Sequence, residues 1–321
     1  MNLVKLQFKI DSPSDYDLNL TLKPSFVSSL YVEKDKYEWV KQVGTYADNL
    51  TLKQEGDTLI ASSTKLADEE SLRRIVLCES GLWDEAPSAR ISRLRGPLKE
   101  QVKALAELFP GVRLSIAPHD FNCILISVIL SKRAKYDVFV RKWVRALWAK
   151  WHCDLSFIAN LTADDIKSIG TSYQLIDLTK TLKDFLRLKP KLDDVIELRK
   201  SLMSCWGIGP KVADAIILFA TPSPWVVPCD THLQRISRRL GWIEKDVRLP
   251  AKSLCLKYHC DECVDKYGSC LKVIIENMFP GFGGWIQTLT YLFGSSICSS
   301  QAPKCHLCHP TLREYCRERR S

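Results

Sequence analysis

The chain has 321 residues, 46% of them hydrophobic and 26% charged, and a net charge of +9 at pH 7. That is the balance of a soluble globular protein long enough for two or three domains. No run of about 18 apolar residues occurs, which excludes a transmembrane helix, and the opening Met-Asn-Leu-Val-Lys-Leu lacks a signal-peptide core. The expectation is an intracellular monomer, in the cytoplasm, nucleoid or nucleus.

The charge is unevenly placed. Residues 1–100 carry 14 basic and 16 acidic residues, and residues 101–321 carry 32 and 21. A polyanion is therefore expected to meet the second part of the chain. Residues 1–66 alternate in short stretches: Leu3–Phe8, Tyr16–Leu22, Tyr37–Val40, Leu50–Leu52 and Thr58–Ala61. Period two with polar turns between predicts an antiparallel sheet with one covered face. Leu72, Ile75, Val76 and Leu77 open the helical part. From residue 97 the pattern is helical, with Val102, Leu105, Leu108 and Phe109 on one face. Phe121–Ser131 reads as a buried helix by its density of apolar residues. Lys132 and Arg133 cap it and would ordinarily be solvated. Val138, Phe139, Trp143, Val144 and Leu147 then mark an amphipathic helix. Gly170–Gln174 separates two further helices, and its Tyr173 is either a loop anchor or an exposed stacking ring.

Residues 204–239 organise the rest. Val195, Leu198, Leu202 and Met203 recur at helical spacing before Gly207-Ile-Gly209. Pro210 suits the first position of a new helix, and the run from Val212 to Ala220 is almost wholly apolar, so that helix is buried. Helix, Gly-x-Gly hairpin, helix aims free N–H groups outward and offers a seat for a phosphate; a tight turn without a ligand is the equal alternative. Lys211 falls in the first helical turn, where the macrodipole disfavours a cation. A partly desolvated amine there has a depressed pKa and a neutral fraction, which an amine nucleophile requires; the other reading is a solvated lysine touching a phosphate. Asp230 precedes another helical stretch, where an aspartate also serves simply as an N-cap.

Of the 13 cysteines, Cys78, Cys123, Cys153, Cys205 and Cys229 lie among apolar neighbours and read as core residues. The other eight form two clusters, which points to metal rather than a disulfide framework. Cys298, Cys305, Cys308 and Cys316 are spaced x6, x2, x7; Cys255, Cys260, Cys263 and Cys270 are spaced x4, x2, x6, beside His259. Four thiolates suit either an iron–sulfur cluster or zinc. For the Cys255–Cys270 set a structural zinc is the first reading, and two disulfides are the alternative in a hyperthermophile's protein.

Gly207-Ile-Gly-Pro-Lys-Val-Ala-Asp214 with Val227-Pro-Cys-Asp-Thr-His232 resembles the helix-hairpin-helix DNA glycosylases, and most the 8-oxoguanine glycosylase/lyase branch. The resemblance puts the nucleophilic lysine on Lys211 and the catalytic aspartate on Asp230. It assigns Gly207, Gly209, Lys132, Arg133, Tyr173 and His232 to the DNA interface. Where the family often has Pro before the first hairpin glycine, this chain has Trp206. At Lys132 and Arg133 the family typically carries Asn or Gln that probe the DNA helix, and at Tyr173 a ring that wedges into the base stack. Gly281-Phe-Gly-Gly-Trp-Ile-Gln-Thr-Leu-Thr-Tyr291 resembles the helix that holds the flipped base, which implies that Gln287 meets the base's Watson–Crick edge and Tyr291 its face. On its residues alone Gln287 has an alternative reading as an interior polar group on an amphipathic helix. The family's amino-terminal glycine that reads the damaged purine has no clear counterpart, Ser25–Ser29 occupying that region. The x6, x2 spacing from Cys298 resembles the [4Fe–4S] loop of endonuclease III and the adenine glycosylases, with a third interval two residues longer. Lys304, His306, Arg313 and Arg317 suggest that this loop faces DNA phosphate. The 255–270 insertion has no counterpart.

The combined expectation is an α+β fold. Residues 1–96 form a small antiparallel-sheet domain with a helix. Residues 97–297 form a helical core with the hairpin at 204–212 and the Cys-rich insertion at 255–270, and residues 298–321 form an iron–sulfur loop. The resemblance implies a bifunctional glycosylase/lyase that removes an oxidised base, 8-oxoguanine first, from damaged double-stranded DNA through a lysine Schiff base and β-elimination. The alternatives are an oxidised-pyrimidine glycosylase/lyase, a monofunctional alkylbase glycosylase and a DNA-binding helix-hairpin-helix protein without catalysis. The pairing of Lys211 with Asp230 argues against the last.

Overall fold

The computed structural model describes residues 6–64, 68–265 and 268–318. Leu3 to Lys5 of the first predicted strand lie outside the described residues, as do residues 319–321 of the predicted C-terminal loop. The fold is α+β in the predicted order. An antiparallel sheet comes first, with strands β1 (Leu6–Asp11), β2 (Tyr31–Asp35), β3 (Glu38–Lys41), β4 (Leu50–Glu55) and β5 (Thr58–Ser63) in the spatial order β1-β5-β4-β3-β2. Phe8 and Ile10, Leu50 and Leu52, and Leu59 and Ala61 all point to the covered face, as period two requires.

Tyr16–Leu22 is not a strand. Leu18–Leu22 forms the short helix α1, because Asp17 caps it by accepting from the Leu20 N–H at 2.7 Å and because Leu18, Thr21 and Leu22 are buried at helical spacing. The strand that alternation does not reveal is β2. It is an edge strand whose Glu33, Lys34 and Asp35 leave little pattern to read.

Helices make up the rest: α2 (Glu69–Ser80), α3 (Pro87–Arg93), α4 (Gly96–Leu108), α5 (Phe121–Leu130), α6 (Arg141–Trp151), α7 (Leu155–Ala159), α8 (Ala163–Ile169), α9 (Tyr173–Leu188) and α10 (Val195–Ser204). They continue with α11 (Pro210–Ala220), α12 (Thr231–Arg239), α13 (Lys252–Lys257), α14 (Leu271–Met278), α15 (Gly283–Ser296) and α16 (Pro310–Tyr315). One apolar cluster runs from the sheet through α2, α5 and α9 to α11. A second joins α4 to α12, α14, α15 and Leu312. The candidate site lies where α11 of the first meets α12 and α15 of the second.

Lys41 of β3 is wholly buried between Glu79 of α2 and Asp120, the latter at 2.6 Å, and Asp120 also accepts from the Thr45 N–H at 2.6 Å. A buried cation persists only when paired in this way. Two further sequence readings need correction. Tyr136–Val140 forms one π-helical turn ahead of α6. The wider turn shifts the phase of the helix face, so Val138 and Phe139 emerge 57% and 47% exposed while Trp143, Val144 and Leu147 stay buried. Cys123 of α5 and Cys153 are not separate core thiols but a disulfide, with Cα atoms 5.2 Å apart.

Candidate active site and nucleic-acid interface

The hairpin is built as its residues dictate. Gly207 sits at φ 66°, a left-handed conformation that favours glycine, and the flexible end of Lys132 lies 2.7 Å from where a Cβ would stand. Pro210 opens α11. Lys211 follows in its first turn and points into a cavity of about 240 Å³. Burial holds its amine below the ordinary lysine value, and Asp230 partly opposes that shift.

Asp230 is both things its position allows. Its Oδ1 caps α12 by accepting from the Leu233 N–H at 2.7 Å, while Oδ2 accepts from Gln287 Nε2 at 2.9 Å. The cap locks the carboxylate's orientation, and Gln287 holds the oxygen that faces the cavity. Gln287 and Tyr291, one helical turn apart on α15, line the same cavity as Lys211. Burial raises the Tyr291 phenol, with Asp137 and Asp230 adding to the shift. His232 sits edge-on to Tyr291 at 5.3 Å, and its Nδ1 accepts from Arg235 at 3.0 Å. That contact requires an unprotonated Nδ1, in line with burial lowering the His232 pKa. Sequence reasoning missed Phe26, Tyr136 and Asp137, which complete the cavity wall. Phe26 lies within the Ser25–Ser29 stretch already noted for the position of its segment. Tyr136 and Asp137 carried no motif, because their place depends on the π-helical turn.

The predicted DNA-interface residues lie beside this cavity, on the hairpin and the elements packed on it. Lys132 Nζ donates to Asp177 Oδ2 and to the Gly207 carbonyl, both at 3.4 Å. Arg133 is exposed with φ 52°, and Tyr173 is 51% exposed at the start of α9. Trp206, just before the first hairpin glycine, is itself 52% exposed.

Cys298, Cys305, Cys308 and Cys316 all line one cavity of about 810 Å³, and Arg239 Nη1 donates to Cys298 Sγ at 3.0 Å. Among the described residues no three His, Cys, Asp or Glu side chains converge as the ligands of a single ion would. Four thiolates suit either zinc or an iron–sulfur cluster. Four thiols around a shared space, with an N–H donor on one sulfur, are chemically suited to hold a thiolate-bound metal group. Lys304 and His306 also line that cavity, while Arg317 pairs with Glu244 at 2.9 Å. Cys255, Cys260, Cys263 and Cys270 are free thiols, so the two-disulfide alternative does not hold here. Arg199 approaches Cys255 Sγ at 3.8 Å and pairs with the buried Asp214.

No family model matches the chain. Among curated proteins it is 28% identical over 120 residues to endonuclease III homolog 2, chloroplastic, of Arabidopsis thaliana, covering 37% of this chain and 28% of that one. It is 27% identical over 108 residues to the N-glycosylase/DNA lyase of Saccharomyces cerevisiae, covering 30% and 26%. To endonuclease III of Thermotoga maritima it is 24% identical over 227 residues, covering 68% and 92%. The chain thus spans about a quarter to a third of the length of the first of these relatives. In three dimensions it is similar to MBOgg1 in complex with a low-affinity DNA ligand, with a TM-score of 0.67 and 18% identity over 90% of this chain and 95% of that one. It is also similar to the apo-form of the Clostridium acetobutylicum 8-oxoguanine glycosylase/lyase, with a TM-score of 0.65 and 15% identity over 89% and 95%. The chain thus has the fold of these 8-oxoguanine glycosylase structures, and over two thirds of its length its sequence is similar to that of an endonuclease III.

Proposed function

We propose that this protein is a bifunctional DNA glycosylase/lyase that removes an oxidised base, 8-oxoguanine foremost, from double-stranded DNA. The observation that carries this reading is the meeting of Lys211, Asp230 and Gln287 in one cavity, with the amine's pKa lowered by burial. A base inside a duplex is out of reach, so the nucleotide is extruded into the cavity. The neutral Lys211 amine attacks C1′, and the glycosidic electron pair leaves with the base, which takes up a proton. The negative charge of Asp230 stabilises the positive charge that grows on the sugar. Opening of the sugar ring gives the lysine iminium. Loss of a C2′ proton then expels the 3′ phosphate and nicks the strand, and water releases the lysine.

Gln287 acts at two points in this reading. One amide N–H holds Asp230, and the carbonyl and second N–H face the base edge as acceptor and donor. Tyr291 supplies the stacking face. Cys298, Cys305, Cys308 and Cys316 would hold a [4Fe–4S] cluster, which when bound supplies a rigid anchor for the C-terminal loop. A second reading, an oxidised-pyrimidine enzyme, is favoured by the endonuclease III names of the sequence relatives and by the same cysteine loop.

The test is borohydride trapping with duplexes carrying 8-oxoguanine, thymine glycol or 3-methyladenine, scored together with base release. Wild type should be trapped on 8-oxoguanine, Lys211→Gln should not, and Asp230→Asn should bind DNA yet lose most base release. Trapping that survives Lys211→Gln overturns the nucleophile. Faster release of thymine glycol transfers the protein to the second reading.

A further inference from the structure

Trp206 is a large apolar ring standing half in water, and the structure spends several contacts on keeping it there. Its backbone N–H donates to Asp184 Oδ2 at 2.9 Å, and its carbonyl accepts from Thr181 Oγ1 at 2.8 Å. Its indole Nε1 donates to Asp177 Oδ1 at 3.1 Å, and the Lys180 ammonium lies 5.0 Å from the ring centroid. Tyr173, Asp177, Lys180 and Asp184 recur at intervals of four, three and four along α9, which puts them on one stripe facing the hairpin. The two carboxylates on this stripe are neutralised, Asp177 by Lys132 at 3.4 Å and Asp184 by Arg187 at 2.9 Å. Exposed Lys180 and Arg133 therefore leave the surface between hairpin and α9 net positive, and an aromatic ring lies within it.

We propose that Trp206 and Lys180 form a second nucleic-acid contact beside the hairpin: a ring-and-ammonium platform that takes a sugar and the adjoining phosphate of the strand the hairpin holds. Asp177 is a positioning residue for this platform, since one carboxylate orients both Lys132 and the indole. This inference rests on the reading of the protein as one that acts on DNA. A ring pre-set by hydrogen bonds loses little freedom on binding, so its stacking reaches the affinity almost undiminished. The backbone tethers from Asp184 and Thr181 would hold any residue at this position. Only the Asp177 contact needs an indole and only the Lys180 contact needs a ring, so the hairpin itself is served without either.

The experiment titrates wild type, Trp206→Ala, Trp206→Phe and Lys180→Ala against a duplex carrying a stable abasic-site analogue, across a salt series, with thermal unfolding of each variant. Trp206→Ala should weaken binding about tenfold, and Trp206→Phe, which keeps a ring, should recover part of the loss. Lys180→Ala should reduce the slope of log affinity against log salt by about one. Unchanged affinity in Trp206→Ala together with an unchanged salt slope in Lys180→Ala overturns the platform. So does a Trp206→Ala loss that tracks a lowered unfolding temperature while Trp206→Phe and Lys180→Ala bind as wild type. Wild type that neither binds this duplex nor is trapped on damaged DNA would instead overturn the functional reading on which the platform rests.

Discussion

Lys211 must be neutral to attack, and two influences of opposite sign decide when it is. Burial is the larger and lowers its pKa; Asp230, across the cavity, raises it. Below that pKa the amine is an inert ammonium, so the single-turnover trapping rate should rise with pH and level off below the ordinary lysine value of about 10.4. Asp230→Asn removes only the raising influence. Its plateau should be lower, because the sugar cation loses a counter-charge, while its inflection moves to lower pH. A pH series of trapping rates for both proteins checks this, and an inflection that moves upward in Asp230→Asn would show that another group sets the profile.

The C-terminal loop is the element whose chemistry is most separable from the site. Helix α16 is short, and His309 ties the loop to α4 through Glu107 at 3.1 Å. Arg239, almost buried, reaches into the loop by donating to the carbonyls of Cys298 and Ser299 as well as to the Cys298 sulfur. Protein purified without oxygen should carry iron and acid-labile sulfide and absorb broadly in the visible, and Cys308→Ser should lose both. A colourless protein holding only zinc would reverse the assignment.

At the scale of the whole molecule, the sheet and the helices share one apolar cluster, with the ionic group of Lys41, Glu79 and Asp120 set into it. Burial pushes the Glu79 carboxyl up to about 7 even with Lys41 beside it. Lys41→Met would leave two buried acids without a cation, a loss of about 3–5 kcal/mol in denaturant unfolding. A protonated Glu79 needs no counter-charge, so the loss should be larger above pH ~7 than below it. A loss that is small and independent of pH would show that Glu79 is neutral in the native protein.

The sequence by itself determined what depends on local pattern. Period-two alternation marked β4 and β5, dense apolar runs marked α5 and α11 as buried helices, and Gly207, Pro210 and Lys211 marked a hairpin leading into a helix with an amine in its first turn. Those features are encoded within a few residues, where glycine's left-handed freedom and proline's missing N–H act directly. The tertiary structure decided what depends on distant neighbours. Alternation in Tyr16–Leu22 was overruled by an Asp17 cap, and Val138 and Phe139 were turned outward by the π-helical turn. Cys123 found Cys153, and Gln287 found Asp230 across 57 positions of chain. Lys211 reads in the sequence as a reactive lysine with a solvated one as the alternative, and it is the packing of α11 against α12 and α15 that encloses it. Its lowered pKa is a property of that enclosure, since desolvation is set by the surrounding atoms and not by the residue's own neighbours in sequence.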